Sequence, residues 1–442
     1  MPYSNHTATR REAERMSRRK TFFYILLSLY SLLLFCACGR QETENLGEEY
    51  QEGMDYQASL GQQSMPQIQK AGDGYYFLVS DRLYYYAPSM EQAIPVCGKA
   101  DCDHTGEDCH AYMGSFVNEI NYYDHKIYYI AEDKDEIEKV GRYFLWFVSE
   151  DGSQREKVAQ IATVEEDGGV GFQLCVHRGY AYFVVDINRG VDKKTKTAVQ
   201  KINLEGAPVC SEVAVYEGYC PGIKDLTAYG NILVVSGSSA DTPYGDAPVH
   251  TDFFDIRDGS RQQDVLYDPA PHFEWSISLL CKRGNEVVYQ DSNSRKLFSL
   301  DLGSGETKAL AQYGTVHVCS ALEGEYFYTC NWAECREKSN FEDYGIEVFG
   351  ADGNQVAAIP MKEEMSWEYG DGSYLFAIGF HEGNRTVSII DKEQMLKGET
   401  EWKTVLTVPG EDAGDAESSE DADDVGNEGD AYEDGSEKDF ME

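Results

Sequence analysis

Basic residues are scarce in this 442-residue chain, in which 38 lysines and arginines stand against 78 aspartates and glutamates, a formal net charge of −40. So acidic a surface repels the phosphates of nucleic acids and of anionic lipid head groups. The composition therefore argues against a nucleic-acid-binding protein and against electrostatic attachment to a membrane. Cationic partners such as basic proteins or metal ions are compatible with this charge.

Recognisable catalytic motifs are also missing. The chain has no Gly-x-Ser-x-Gly elbow, no His-Glu-x-x-His pair and no glycine loop for phosphate. Its nine histidines are dispersed, with His125 in a predicted hairpin turn and His177 directly before one. Dispersed histidines of this kind are typical of surface or hydrogen-bonded positions. We therefore assign no catalytic residue and favour a function other than catalysis.

The N-terminus carries an export signal. An apolar run from Phe22 to Phe35 follows a basic stretch, Arg15 to Lys20, and precedes small residues that end in cysteine. The run is too short for a comfortable membrane span, whereas a basic, an apolar and a small-residue region in this order are typical of export. Residues 1–38 are predicted to form the signal, and Met16 gives a more compact start than Met1.

The end of this signal resembles the cleavage site of bacterial lipoproteins. The resemblance implies that Cys38, which follows Ala37, carries the lipid and anchors the protein at the outer face of the cytoplasmic membrane. The match departs from the family pattern at Phe35 and Cys36, where leucine and a small residue are usual. A secreted form without lipid is the alternative.

The C-terminal segment 409–442 holds 15 acidic residues and one lysine. Such a segment cannot bury enough apolar surface to offset its ordering entropy, so we expect it to be disordered. Between the signal and this tail we expect a linker over residues 39–66 and one folded body over residues 67–408.

The body is predicted to be all-β. Short runs rich in tyrosine and β-branched residues recur between polar turns, and no long stretch has helical periodicity. The runs are YYFLVSDRLYYYAP from Tyr75, INYYDHKIYYIAED from Ile120, YAYFVVD from Tyr180, ILVVSG from Ile232, EVVYQDSNSRKLFSLD from Glu286, EYFYTCN from Glu325 and YLFAIGF from Tyr374.

A glycine-containing turn follows the third predicted strand of each unit at intervals of about 50 residues. The turns are EDGS at Glu150, LEGA at Leu204, RDGS at Arg257, GSGE at Gly303 and ADGN at Ala351. A repeat of several short strands at this period is typical of a β-propeller, in which each blade buries its faces against its neighbours. We predict a single propeller, with a pair of β-sandwiches as the alternative.

Seven four-stranded blades fit the spacing, ahead of six or eight. The predicted units are 67–97, 117–161, 172–216, 223–267, 273–312, 316–360 and 364–408. We expect the segment before Gln67 to close the ring by pairing with the last unit.

An insertion at residues 97–116 concentrates potential metal ligands. Cys97, Cys102, His104 and Cys109 lie within 13 residues, and three thiolates with one imidazole suit a tetrahedral zinc ion. A metal would also supply folding energy to a loop without a core of its own. A Cys97–Cys109 or Cys102–Cys109 disulfide is the alternative, because exported proteins meet oxidising conditions. The insertion therefore predicts one structural zinc ion or a disulfide loop.

The chain resembles poorly characterised propeller lipoproteins of Gram-positive bacteria, with the general look of TolB-like or quinoprotein-like propellers. The resemblance rests on the signal, the Cys-x4-Cys-x-His-x4-Cys-x-Ala insertion from Cys97 to Ala111, and the repeated tyrosine hairpins. It implies the architecture but no substrate, since propellers serve as enzymes, scaffolds and binding modules alike.

The sequence thus favours a membrane-anchored, monomeric propeller that binds an unknown protein or glycan ligand and no nucleic acid. An extracytoplasmic enzyme acting on glycan, peptide or lactone is one alternative, and a cell-envelope assembly or sensing factor is another. Carboxylates or histidines with perturbed pKa values in the central funnel would favour the enzyme.

Overall fold

The computed structural model describes residues 47–57, 66–114, 117–135, 140–165, 170–187, 193–243, 245, 247–269, 277–291, 294–312, 320–324, 326–330, 344–350, 352–361 and 365–409. The predicted signal with Cys38 and the acidic tail after Pro409 lie outside these residues. The chain divides between Tyr50 and Gln51 into two units, and the second, from Gln51 onward, contains every described strand. Among the described helices, none has the length and apolar character needed to cross a membrane.

The first two sheets each contain four consecutive antiparallel strands. The first sheet consists of β1 (Ile68–Ala71), β2 (Gly74–Val79), β3 (Arg82–Tyr86) and β4 (Ile94–Pro95). The second consists of β5 (Asn121–Tyr123), β6 (Lys126–Asp135), β7 (Val140–Ser149) and β8 (Arg155–Glu165).

The third sheet has seven strands in chain order. These are β9 (Val170–His177), β10 (Tyr180–Ile187), β11 (Lys194–Asn203), β12 (Cys210–Tyr229), β13 (Ile232–Ala240), β14 (Val249–Asp255) and β15 (Arg261–Asp268).

Three further four-stranded sheets complete the described part of the body. The fourth sheet consists of β16 (Ile277–Arg283), β17 (Glu286–Asp291), β18 (Lys296–Asp301) and β19 (Thr307–Gln312). The fifth consists of β20 (Ser320–Glu323), β21 (Tyr326–Cys330), β22 (Gly345–Phe349) and β23 (Gln355–Pro360). The sixth consists of β24 (Met365–Gly370), β25 (Tyr374–His381), β26 (Asn384–Asp391) and β27 (Lys403–Pro409), with a short helix α1 (Lys392–Leu396) before β27.

The long strand β12 belongs to two groups of four strands. Its first part pairs with β11 and its second part with β13, and its register with β13 shifts between Tyr219 and Gly222 and again between Ile223 and Asp225. Bulges of this kind bend a strand. When β12 is divided at these bulges and each part is counted with its own neighbours, the described residues contain seven groups of four strands. The positions of these groups match the predicted units. The prediction of an all-β propeller is confirmed, whereas the blade number of the whole chain stays a prediction.

Apolar clusters fill the seams between consecutive groups of strands. The first and second sheets share a cluster that contains Tyr76, Leu83 and Tyr129, and the other seams of the described body have similar clusters. Strand β2 is buried along its whole length. A strand packed on both faces must be apolar at successive positions, which explains why Tyr75 to Val79 do not alternate with polar residues.

Side chains and one backbone hydrogen bond join the sixth sheet to the first, since Ala93 N–H, just before β4, donates to Val405 O of β27 at 2.8 Å. Phe77 and Tyr86 of the first sheet pack with Phe376 and Val405 of the sixth sheet in one buried cluster. The sixth sheet contains only its own consecutive strands. We expected the segment before Gln67 to pair with the last unit, but residues 51–57 of that segment do not.

Residues 51–57 instead lie across the hairpin turns of the second and third sheets. Asp55 receives a bidentate contact from Arg178, with Nε–Oδ1 at 2.6 Å and Nη2–Oδ2 at 2.9 Å. Arg178 Nη1 also donates to Asn231 Oδ1 at 2.7 Å, and all three side chains are buried. A buried charge is stable only when it is paired in this way. The segment that precedes the propeller is thus fastened to it.

His177 completes this attachment as a neutral ring. Its Nδ1 accepts from Tyr56 N–H at 2.9 Å, and its Nε2 donates to Gly230 O at 2.6 Å. Burial lowers the pKa of His177 to about 4, and this effect exceeds the opposing effect of Asp55. The histidine is therefore a satisfied structural residue, as the sequence predicted.

This histidine should weaken the fold as the pH falls from 6.5 to 4. In this window the unfolded chain binds a proton at His177 and the folded protein does not, so the free energy of unfolding falls by up to about 1.4 kcal/mol per pH unit. His177→Gln should remove this slope, as measured by urea unfolding at a series of pH values.

The matched control is His381→Gln, because His381 is exposed at the end of β25. The control should retain the slope of the wild type. An unchanged slope in His177→Gln would show that the ring is protonated in the folded state.

Candidate metal centre and adjacent groove

The Cys/His insertion leaves the first sheet after β4 and returns to the same sheet. Met113 N–H donates to Asp81 O at 2.8 Å, and Leu83 N–H donates to Ala111 O at 2.8 Å. Ala111 and Met113 are fully buried. At the other end, Val96 N–H donates to Leu83 O at 3.0 Å, so backbone hydrogen bonds fix both ends and the residues between them form a closed loop.

The four predicted ligands come together within this loop. One ligand atom from each of Cys97, Cys102, His104 and Cys109 lies within 4.8 Å of the others. His104 Nδ1 is 3.5 Å from Cys109 Sγ. Zinc–sulfur and zinc–nitrogen bonds in a tetrahedron would place such atoms about 3.6 Å apart. This Cys3His cluster can bind a metal ion such as zinc.

Backbone amides stabilise negative charge at the cluster. Burial raises the pKa of Cys97, but hydrogen bonds from the N–H groups of Lys99 and His110 outweigh it and hold the pKa below its ordinary value. Burial raises the pKa of Cys109 to about 11. The thiols of Cys97 and Cys109 thus differ in the direction of their pKa shifts. A bound cation would favour the thiolate form of both.

The described cysteines form no disulfide. The structure gathers all three sulfur atoms with the imidazole, an arrangement that a pairwise bond would not require. A disulfide between Cys97 and Cys109, or between Cys102 and Cys109, stays the alternative prediction to a zinc ion.

The loop docks on the turn between β7 and β8. Gly98 N–H donates to Gly152 O at 2.9 Å, and His110 Nδ1 donates to the same oxygen at 2.7 Å. A Cβ atom on Gly152 would lie 2.6 Å from Cys97 N, and Gly152 has φ of +67°. Only glycine tolerates both the conformation and the contact. The repeated glycine turn therefore positions the first cysteine ligand.

Two arginines hold the other side of the loop. Arg82 Nη2 donates to Thr105 O at 2.5 Å, and Arg155 Nη1 donates to Glu107 O at 3.1 Å. The two guanidinium groups also lie 5.5 and 5.8 Å from the ring centre of Tyr112. The loop is thus bound to β3 and β8, one strand from each of the first two sheets.

A groove of about 720 Å³ opens beside this loop, at the seam of the first two sheets. Cys97 and the neighbouring Val96 form part of its lining, and Glu52 to Met54 of the N-terminal segment form another part. Its remaining lining is dominated by tyrosines and carboxylates. These residues are Tyr76, Tyr85, Tyr122, Asp73, Asp124, Glu150 and Asp151.

Glu150 organises one end of the groove. Its Oε2 accepts from Tyr122 OH at 3.0 Å and lies 2.9 Å from His125 Nδ1. Its backbone oxygen accepts from Tyr76 OH at 2.9 Å. The hydrogen bond to Glu150 raises the pKa of His125 above its ordinary value. Sequence reasoning missed this group, because Glu150 is one of many carboxylates and lies 25 residues from His125.

Two carboxyl groups are buried among the first strands of the propeller. Glu119 is 2% exposed and Asp225 is 8% exposed. Burial raises the pKa of Asp225 to about 7 and that of Glu119 well above its usual range. Perturbed carboxylates near the axis were the expected sign of an enzyme. Both groups are buried, and neither lines the groove.

Other residues singled out in the sequence cannot be placed. Tryptophan rings can stack on a sugar or peptide, and Trp332 and Trp367 are candidates by residue type. Trp332 lies outside the described residues, as does Cys38. Trp367 lies in β24, but its side chain is not among those described.

No known protein family and no curated protein matches the sequence. Solved structures match at the level of fold. A computationally designed protein, Ika8, is 12% identical with a TM-score of 0.41, over 76% of this chain and 99% of that one. The AfRom2 CNH domain is 9% identical with a TM-score of 0.39, over 77% and 97%.

An acylaminoacyl peptidase of Pyrococcus horikoshii is 10% identical with a TM-score of 0.44. The match covers 82% of this chain and 54% of that one. Likeness at this level concerns the propeller architecture alone. The TolB-like and quinoprotein-like resemblance stays a prediction.

The contact between Gly152 and Cys97 can be tested with a matched pair of glycines. Gly259 occupies the same position in the β14–β15 turn with φ of +73°, and a Cβ atom there would meet nothing within 4 Å. Gly152→Ala and Gly259→Ala should share the cost of the left-handed conformation, about 1 kcal/mol.

Gly152→Ala should lose about 1–3 kcal/mol more, because the loop must move away from the turn. Urea unfolding at pH 7 measures both variants. Equal losses in the two variants would show that the loop does not depend on this contact.

Proposed function

We propose that this protein is an exported, lipid-anchored β-propeller that binds a ligand in the groove beside its Cys/His loop. The observation that carries the proposal is the groove itself, which is large enough for a ligand and open to solvent. No serine, threonine, lysine or arginine is among its described lining residues. The hydroxyl and amine side chains that form acyl and Schiff-base intermediates are therefore lacking among these residues, and the thiol of Cys97 belongs to the metal cluster.

The proposed anchor would keep this groove near the membrane. Twelve residues lie between Cys38 and Gln51, a reach of at most about 45 Å when fully extended. Gln51 begins the segment that Asp55 fastens to Arg178, and Glu52 lines the groove. A ligand in the cell envelope or on the cell surface would then meet the groove within a short distance of the bilayer.

We assign the Cys3His cluster to one structural zinc ion. Three thiolates and an imidazole fill a tetrahedron and leave no position for water or substrate, which is typical of a structural site. Cys109 is fully buried, and the loop contacts both the first and the second sheet. The zinc ion would therefore fix the wall of the groove and take no part in a reaction.

Catalysis is the second candidate, and one observation favours it. The Tyr122, Glu150 and His125 contacts join three groups that can hold or transfer a proton. His125 and Glu150 are both exposed at the groove, with side chains 75% and 41% accessible. We favour binding because an exposed acid–base pair, with no lysine or arginine among the described lining residues to stabilise an anion, lacks an important part of a reaction centre.

Metal content tests the zinc assignment. Native mass spectrometry of the mature chain, exported and purified without chelators, should show the mass of one zinc ion above the denatured mass. Cys102→Ser should lose this mass, because three ligands bind zinc far more weakly than four. Ser89→Ala, a substitution outside the loop, should retain it.

A disulfide gives a different result in the same spectra. A denatured mass two daltons low for one cysteine pair, with no metal in the native state, would contradict the zinc assignment.

Fractionation of cells tests the anchor. Cys38→Ala should move the protein from the membrane fraction to the soluble extracytoplasmic fraction, because its only proposed membrane attachment is removed. Cys210→Ala, a change at an exposed cysteine of β12, should leave the protein in the membrane fraction. Membrane association of Cys38→Ala equal to that of the wild type would contradict lipid anchoring.

Binding and catalysis are distinguished by one screen. Peptides and glycans are tested for a rise in melting temperature of the mature chain, and each mixture is then analysed by mass spectrometry. A ligand should raise the melting temperature and be recovered unchanged, since binding to the folded state alone stabilises it. A product that forms with the wild type but not with Glu150→Gln would establish the enzyme instead.

A further inference from the structure

Several carboxylates converge on the groove, and of these only Glu150 has a basic partner, His125, among the described residues. The structure gives no ion pair or side-chain hydrogen bond to Glu52, Asp73 or Asp124 among the residues it describes. Both contacts of Glu150 fall on Oε2, which leaves Oε1 without a donor in the same part of the chain. Like charges that converge without compensation repel one another, so a cation in the groove would be stabilised.

Tyrosine rings line the same groove. Tyr76 lies between the other two, with its ring centre 5.1 Å from that of Tyr85 and 6.1 Å from that of Tyr122. Tyr76 and Tyr122 are buried, whereas Tyr85 is half-buried and offers part of its ring to the groove. Aromatic faces and phenolic oxygens attract ammonium and guanidinium groups.

The basic side chains near the groove, among the residues that the structure describes, make their contacts elsewhere. The nearby Arg82 and Arg155 are directed to Tyr112 and to the carbonyls of the Cys/His loop. Among the described lining residues only His125 can carry a positive charge, and its exposed ring already contacts Glu150. The groove therefore combines negative charge, aromatic surface and open volume, with His125 as the one positively ionisable group among its described lining residues.

We infer that the groove binds a basic peptide segment, one that presents lysine or arginine side chains. This inference rests on the proposed binding function and names its ligand class. A segment of several residues suits the groove better than a single small amine, because about 720 Å³ is within the range that holds ligands of drug size or larger. The charge of the rest of the chain would speed the encounter with such a partner.

Binding of hexalysine to the full mature chain tests the inference. The variant Asp73→Asn/Asp124→Asn removes two groove charges and keeps the shape of both side chains. Both residues are exposed, and Asp124 has φ of +44°, a conformation that asparagine tolerates well. The fold should therefore be retained, which circular dichroism confirms before titration.

The control variant is Asp241→Asn/Asp258→Asn, which removes the same charge from exposed positions of the third sheet. Both variants retain the acidic C-terminal tail, so non-specific attraction to the tail is equal in the two. Isothermal titration calorimetry at 100 mM salt should show saturable binding of hexalysine to the wild type. The groove variant should bind at least tenfold more weakly, and the control should bind within twofold of the wild type.

Three results would overturn the inference. These are equal weakening in both variants, affinity unchanged in the groove variant, and no saturable binding of hexalysine to the wild type. Fully acetylated hexalysine should not bind, and binding equal to that of hexalysine would also contradict a role for charge. The proposed binding function is tested separately, by whether the screen of peptides and glycans recovers unchanged ligand or a product.

Discussion

Packing between neighbouring sheets is the interaction on which the rest of this structure depends. A four-stranded sheet of this size cannot bury both faces alone, and here each face is covered by the next group of strands. The seam between the sixth and first sheets closes the ring in the same way, through Phe77, Tyr86 and Phe376. Large aromatic side chains suit these seams because each covers much area with few rotatable bonds. The abundance of tyrosine in the sequence is therefore explained by the architecture.

The candidate metal centre and the groove both lie at one of these packed seams. At the seam of the first two sheets the chain inserts the Cys/His loop, which contacts β3, β8 and the turn at Gly152. The same turn supplies Glu150 to the groove. The same turn thus contacts a candidate metal ligand, Cys97, on one side and contributes Glu150 to the proposed binding groove on the other. The N-terminal segment adds Glu52 to the groove and is held by Arg178.

Much of the fold could be predicted because its signals are local. Strand runs and glycine turns recur at a regular period, and the four metal ligands lie within one short segment. Features that depend on distant residues could not be found in this way. Asp55 and Arg178 are 123 residues apart, and nothing in either neighbourhood marks the pair. The predicted units end at residue 216 and begin again at 223, whereas the structure continues β12 between them through bulges.

The groove could not be predicted from the sequence for the same reason. Its carboxylates come from the N-terminal segment and from turns of two sheets, and the sequence offers 78 acidic residues from which to choose. Only the fold shows which of them converge on tyrosine rings without a basic partner. The metal ligands were predictable since cysteine and histidine are rare and their spacing carries chemical meaning.

Hydrogen exchange of the mature chain before and after metal removal tests the account most directly. If a metal holds the loop against the second sheet, chelation should increase exchange at residues 97–113 and at the turn 150–154, because their mutual hydrogen bonds would open. The strands β16 to β27 should remain protected. Unchanged exchange in the loop, or a loss of protection throughout the propeller, would contradict the claim that a local metal centre builds the wall of the groove.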